Sequence, residues 1–127
     1  MINDLTSTVI ESAIKVHKIL GPGLLESSYK ECLAYELNKK GLYVEKEKPV
    51  PLIFEEVKLE CGYRLDLLIN NELILELKSV DLIAEIHIAQ TLTYMKLMNK
   101  KFGLLLNFNV ILLKDGIKRL VNKYYVE

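Results

Sequence analysis

Cysteine is nearly missing from this chain: 127 residues hold only Cys32 and Cys61, and they lie far apart. Two are too few for a cysteine-based zinc or iron–sulfur centre. They suit a reduced cytosolic chain better than a disulfide scaffold, with both read as packing residues. Long apolar runs are missing too, so no membrane span is expected. Met1-Ile2-Asn3-Asp4 has neither the basic start nor the apolar block of a signal peptide, and a cytoplasmic location follows as an expectation. No serine or cysteine stands in a nucleophile arrangement, and no glycine-rich phosphate loop is present. There are no internal repeats, low-complexity tracts or linkers, and the length fits one domain spanning 1–127. Net charge is zero, which taken alone argues against a nucleic-acid partner. Its distribution is uneven. Between Lys96 and Lys123 seven basic residues face the single acid Asp115, leaving that stretch at plus six and the remainder at minus six. Such a stretch could follow a phosphate backbone, or be a solvated surface balanced elsewhere.

Half of the residues are hydrophobic, enough for a real core, and their periodicity orders the chain. Leu5, Val9, Ala13, Val16 and Leu20 recur at helical spacing over about Asp4 to Leu20, with capping chemistry offered by Asp4, Thr6, Ser7 and Thr8. Gly21-Pro22-Gly23 ends that helix. A second helix is expected from Leu24 or Leu25 to about Lys40, closed by Gly41. Val44 to Phe54 carries Pro49 and Pro51, which favour an edge strand or two short strands with a bend. Val57 to Glu60 reads as a short return strand. Tyr63–Ile69 and Leu73–Ser79 form a central hairpin. Asp81 to Lys100 reads as a helix with Ile83, Ile86, Gln90, Tyr94 and Leu97 along one side. Phe102–Phe108 is a buried strand, and Val110–Leu113 and Ile117–Val121 flank a turn at Asp115-Gly116. Helix, helix, strands, helix, strands gives a mixed sheet flanked by helices, an α/β sandwich.

The charges that interrupt the central hairpin carry the chemistry. Asp66 stands in Tyr63-Arg64-Leu65-Asp66, and Glu76-Leu77-Lys78 stands on the next run, both among Leu and Ile. Charges placed in an apolar pattern are costly unless paired or bound to a metal. A two-residue loop at Asn70-Asn71 would set Leu65 against Glu76. A three-residue loop, Asn70-Asn71-Glu72, sets Leu65 against Leu77, Leu67 against Leu75 and Ile69 against Leu73, with Asp66 opposite Glu76. The hydrophobic pattern selects the second. It predicts one all-aliphatic face and one face bearing Arg64, Asp66, Glu76 and Lys78, with Leu68 and Ile74 beyond. Two carboxylates on neighbouring strands can share a hard divalent cation, Mg²⁺ or Mn²⁺, and Lys78 on the same face could hold a phosphate or orient the attacking water. The alternative is a solvated ion pair on an exposed strand face. Gln90 and Tyr94 are four apart on one helix face, with His87 a turn earlier.

With these motifs in place, the chain resembles the small GxxExxY proteins, a branch of the PD-(D/E)XK (restriction-endonuclease-like) nuclease superfamily. The resemblance runs from Val16-His17 through Gly21-Pro22-Gly23 and Glu26…Tyr29 to Asn107-Phe108-Asn109 and Asp115-Gly116. It implies a restriction-endonuclease-like sandwich with an αβββαβ core. Asp66 matches the strand aspartate and Glu76-Leu77-Lys78 the E-x-K element. Glu26 matches an acid on the helix before the sheet, and Gln90 and Tyr94 match a Q-x-x-x-Y helix motif. Leu65 stands where the superfamily's name has proline. The implied metal ligands are Glu26, Asp66, Glu76 and the Leu77 carbonyl, with Lys78, Gln90 and Tyr94 completing the catalytic set. Glu26 also sits near a helix N-terminus, where an acid is favoured whatever its role. Tyr29 and His17 are expected to be structural, and His87 is an outside candidate for the site. The implied activity is divalent-metal-dependent hydrolysis of nucleic-acid phosphodiesters, DNA before RNA. The alternative is a catalytically inactive nuclease-fold module that binds nucleic acid or a protein partner. A homodimer joined through an apolar edge strand is compatible with either.

Overall fold

The computed structural model describes residues 1–60 and 62–127, so Cys61 and its expected packing role lie outside the described residues. Among the described residues three helices frame a five-stranded sheet. Helices α1 (Ile2–Leu20) and α2 (Glu26–Lys39) precede β1 (Val44–Pro49), the short strands β2 (Leu52–Phe54) and β3 (Val57–Leu59), and the central pair β4 (Arg64–Ile69) and β5 (Leu73–Lys78). Helix α3 (Glu85–Met98), β6 (Phe102–Asn107), a 3₁₀ turn over Leu113–Gly116 and β7 (Ile117–Val121) complete the chain. Sheet order is β1-β4-β5-β6-β7, with β5 and β6 parallel and the other neighbours antiparallel, while β2 and β3 form a separate hairpin. Taken from α2, and with that hairpin set aside, the order through β6 is αβββαβ, and β7 adds an edge strand. Among the described residues no helix is long and apolar enough to cross a membrane.

The central hairpin takes the predicted three-residue loop. Ile69 pairs with Leu73, Leu68 with Ile74 and Leu67 with Leu75. Asn70 and Asn71 both adopt left-handed φ, at 53° and 54°, which asparagine tolerates better than most residues. The Asn70 side chain also accepts the Tyr43 N–H at 2.8 Å. Leu67, Ile69, Leu73, Leu75 and Leu77, with Leu104 and Leu106, pack against Leu5, Val9, Ala13 and Val16 of α1 and Leu33 and Leu37 of α2. The opposite face is covered as well. There Val50, Leu65, Leu68 and Ile74 pack with Tyr94 and Met95 of α3. Leu65 was expected on the first face, and that expectation fails because strand alternation breaks at Asp66.

Several boundaries also differ from the sequence reading. Helix α1 begins at Ile2 with Met1 as N-cap and no side-chain cap, so Asp4 lies in its first turn instead of capping it. Gly41 follows α2 as expected, with φ of 82° and its N–H on the Asn38 carbonyl. Helix α3 begins at Glu85, not Asp81. The buried amide of Asn107 takes both backbone groups of Val80, accepting its N–H at 3.1 Å and donating to its carbonyl at 2.9 Å, and so holds this segment out of the helix. The buried stripe of α3 is Thr91, Tyr94 and Met95, while Ile86 and Gln90 are exposed. Val110–Leu113 is not a strand. The Val110 carbonyl bonds the buried His17 ring at 2.7 Å, and Gly116 turns where a side chain would collide with the Asn107 carbonyl. Cys32 is half-buried and packs against the larger core.

Candidate active site

Beyond Leu67 and Leu75 the mainchain pairing of β4 with β5 stops. The Asp66 N–H donates to Glu76 Oε2 at 2.8 Å, and the Leu77 N–H donates to Asp66 Oδ2 at 2.8 Å. Asp66 Oδ2 takes the place of a β4 carbonyl for the Leu77 N–H, while the Asp66 N–H, which regular alternation would turn toward β1, is turned toward β5 and met by the Glu76 side chain. A strand residue turns its N–H and C=O toward the same neighbour. The Lys78 carbonyl accepts the Phe108 N–H at 2.9 Å, on the β6 side, and residues alternate. The Leu77 carbonyl therefore opens into the gap between β4 and β5, beside Asp66.

Glu76 is 4% exposed, which removes the solvated ion pair as a description of this face. Burial, and then the neighbouring Asp66 charge, push the Glu76 carboxyl up to about 8. Burial also raises Asp66, against the lowering effects of the Leu77 N–H and of Lys30 and Lys78. Two desolvated acids side by side call for compensating positive charge. Part of it comes from Lys78, half-buried at the end of β5, and part from Lys30 of α2. Lys30 has a side chain only 13% exposed, and its ammonium lies 3.9 Å from Asp66 Oδ1 and 3.7 Å from Glu47 Oε2. Sequence reasoning missed Lys30. Its one signal was the four-residue spacing from Glu26 along a helix.

The remaining candidates are arranged around this pair. Tyr94 is buried, with its hydroxyl raised by burial and then by Glu76, Tyr63 and Asp66. Its ring lies 6.3 Å from that of Tyr63. Gln90 is exposed one turn earlier on α3. Glu26 is exposed at the first residue of α2. The loop before it is tied to the end of β5, where Ser79 Oγ donates to the Leu24 carbonyl at 2.6 Å. Among the described residues no three His, Cys, Asp or Glu side chains are gathered closely enough to hold an ion, so Glu26 stands apart from the Asp66–Glu76 pair. Two carboxylates and the Leu77 carbonyl are nonetheless hard oxygen donors at one gap, a set suited to Mg²⁺ or Mn²⁺ completed by water. Tyr29 is structural: its hydroxyl donates to the Gly21 carbonyl at 2.6 Å and accepts the Leu24 N–H at 3.1 Å, and its ring stacks on Phe108. His87 is a cap, its Nδ1 accepting the Ala84 N–H at 2.9 Å.

The basic stretch does not make one track. Lys100 bonds Asn71 at the β4–β5 turn, Lys96 lies over Tyr124, and Lys114 belongs to the 3₁₀ turn. Lys118 differs from these: register sets it beside Leu105 and Leu105 beside Glu76, in one row across three strands.

An α/β sandwich whose central hairpin stops pairing at a buried and a half-buried carboxylate has the restriction-endonuclease-like architecture. The family model of the PD-(D/E)XK nuclease superfamily matches residues 3–120, and the chain belongs to that superfamily. Its members generally use divalent metals. No curated protein and no solved structure gives a match to the chain.

Proposed function

We propose that residues 1–127 form a single nuclease domain of the GxxExxY kind that hydrolyses phosphodiester bonds, DNA being the favoured substrate, with Mg²⁺ or Mn²⁺. The observation that carries this reading is the pairing of half-buried Asp66 with buried Glu76 in a gap that the Leu77 carbonyl also enters. Asp66, Glu76 and that carbonyl would hold the ion, with Glu26 reaching it through water. When bound, such an ion polarises a phosphoryl oxygen and lowers the pKa of a coordinated water. Lys78 orients the attacking water or neutralises the phosphate. The Tyr94 hydroxyl stays protonated and available as a donor. Gln90, free on the surface of α3, positions the strand, and Lys118 holds a phosphate about two strand spacings, roughly 10 Å, from Glu76.

Divalent-dependent cleavage of single- and double-stranded DNA tests this, with Asp66→Ala and Lys78→Ala as controls. The expected result is metal-dependent cleavage that either substitution reduces by at least two orders of magnitude. Equal activity in all three proteins would identify a contaminant and defeat the reading. DNA binding without any carboxylate-dependent Mn²⁺ site would favour a catalytically silent nuclease-fold module.

A further inference from the structure

We infer that Lys30 is a built-in counter-ion of the site, which a divalent cation must displace from Asp66, and that Glu47 receives it. The proposal rests on the metal site described above and adds two residues to it.

Two independent features point this way. The first is position. The Lys30 ammonium, largely buried, lies between Asp66 Oδ1 and Glu47 Oε2 at 3.9 and 3.7 Å. Both distances are at the loose end for an ion pair, so the ammonium is shared between two carboxylates and locked on neither. The second is backbone. Glu47 is a non-glycine residue inside β1 with φ of 50°, a conformation that costs free energy and persists where the surroundings impose it. Lys46 pairs with Leu67 and Lys48 with Leu65 on either side, so the register is unbroken and no residue is inserted. Glu47 therefore falls opposite Asp66 in the register, and from this distorted backbone its carboxylate reaches the Lys30 ammonium.

The consequence is a pair of opposite effects. Removing the Lys30 charge removes a cation that repels the incoming ion, so metal binding tightens. Removing the Glu47 charge leaves Asp66 as the remaining carboxylate partner of Lys30, so metal binding weakens. A salt bridge that only stabilised the fold, with neither charge felt at the ion, would leave both affinities unmoved.

The test is Mn²⁺ binding to the full-length protein at pH 8.5, followed by the electron paramagnetic resonance of free Mn²⁺. Wild type is compared with Lys30→Met, Lys30→Arg, Glu47→Gln and Asp66→Asn. We expect Lys30→Met to bind roughly tenfold tighter and Glu47→Gln several-fold weaker, the scale of one partly screened charge contact. Lys30→Arg should restore wild-type affinity. If Lys30→Met fails to fold by circular dichroism, Glu47→Gln and Lys30→Arg still decide. Unchanged affinity in Glu47→Gln, or shifts of the same sign in Lys30→Met and Glu47→Gln, overturns the proposal. Asp66→Asn separates the levels. Mn²⁺ binding that survives it overturns the metal site itself. Binding that it abolishes, but that Lys30→Met leaves unmoved, overturns the counter-ion alone.

Discussion

Glu76→Gln should make the metal-free protein more stable, although it alters the residue most central to the site. The folded chain holds the Glu76 carboxyl at about 8, against an ordinary value of 4.5. Between those values the folded protein keeps a proton that the unfolded chain releases. Stability is therefore full below about pH 4.5 and declines as pH rises toward 8, with a slope approaching about 1.4 kcal/mol per pH unit. The whole displacement corresponds to a ceiling near about 5 kcal/mol. Relaxation and water entry reduce such burial penalties, and we take roughly half, about 2–3 kcal/mol, as the expected loss at pH 8. Glutamine has the same shape, carries no charge at any of these pH values, and keeps an oxygen for the Asp66 N–H.

The assay is urea unfolding in EDTA from pH 4.5 to 9. Wild type and variant should coincide near pH 4.5. At pH 8 the variant should lead by about 2–3 kcal/mol, roughly 10 °C in Tm for a chain of this size. Its profile should be flatter but not level, since Asp66 is also raised by burial. Added Mn²⁺ should reverse the order. A ligand at a hundred times its Kd contributes about 2.7 kcal/mol, and only the wild type keeps both carboxylates to bind it. A variant less stable than wild type at pH 8 in EDTA would refute the reasoning, as would a wild-type profile that stays level from pH 5 to 9.

Three further substitutions probe the frame around the site. Tyr29→Phe keeps the ring stacked on Phe108 but loses the hydroxyl's bonds to Gly21 and Leu24. It should cost about 1–2 kcal/mol in urea unfolding, and an unchanged midpoint would count against the clamp. Asn107→Leu strands the Val80 N–H and carbonyl and the Asn109 N–H. It should cost about 3 kcal/mol and speed hydrogen exchange at Val80 and Asn109; wild-type protection there would contradict it. Gly116→Ala drives a methyl against the Asn107 carbonyl oxygen, a backbone atom with little room to move. A loss of about 2–4 kcal/mol is expected, and a wild-type Tm would show that the turn yields.

The elements that sequence made legible are those governed by local pattern. The Asn70-Asn71-Glu72 loop followed from the need to match leucine with leucine, and Leu67–Leu75 and Ile69–Leu73 pair as that requires. The parts that escaped are governed by side chains acting on a distant backbone. Asp81 to Ala84 looks helical, yet Asn107, 27 residues from Val80, takes both backbone groups of Val80 just before it. Val110–Leu113 has strand composition, yet the His17 ring takes the Val110 carbonyl. Ile86 and Gln90 fall on the predicted stripe of α3, yet Met95 fits against Gly103, where a side chain would collide with its sulfur, and this fixes a different inward face. Asp66 and Glu76 were visible because charge in an apolar run stands out. Lys30 was not, because a lysine on an amphipathic helix has no such contrast.

The failure of alternation at Leu65 bears directly on how the site is built. A regular antiparallel pair would bond Asp66 and Leu77 to backbone and leave both carboxylates as appendages on one face. Here Asp66 Oδ2 occupies the ladder position opposite the Leu77 N–H, and Glu76 Oε2 takes an Asp66 N–H turned toward β5. That fixes their oxygens with mainchain donors, at the same location where the Leu77 carbonyl loses its partner strand. It also explains why the face under α3 is apolar around them. Leu65, Leu68, Ile74 and Tyr94 exclude water, and exclusion of water raises both the cost of an unmatched carboxylate and the strength with which a cation is held. The same exclusion of water therefore both lowers the stability of the metal-free protein at pH 8 and strengthens the hold on the ion. Substitutions that relieve the first should weaken the second in proportion.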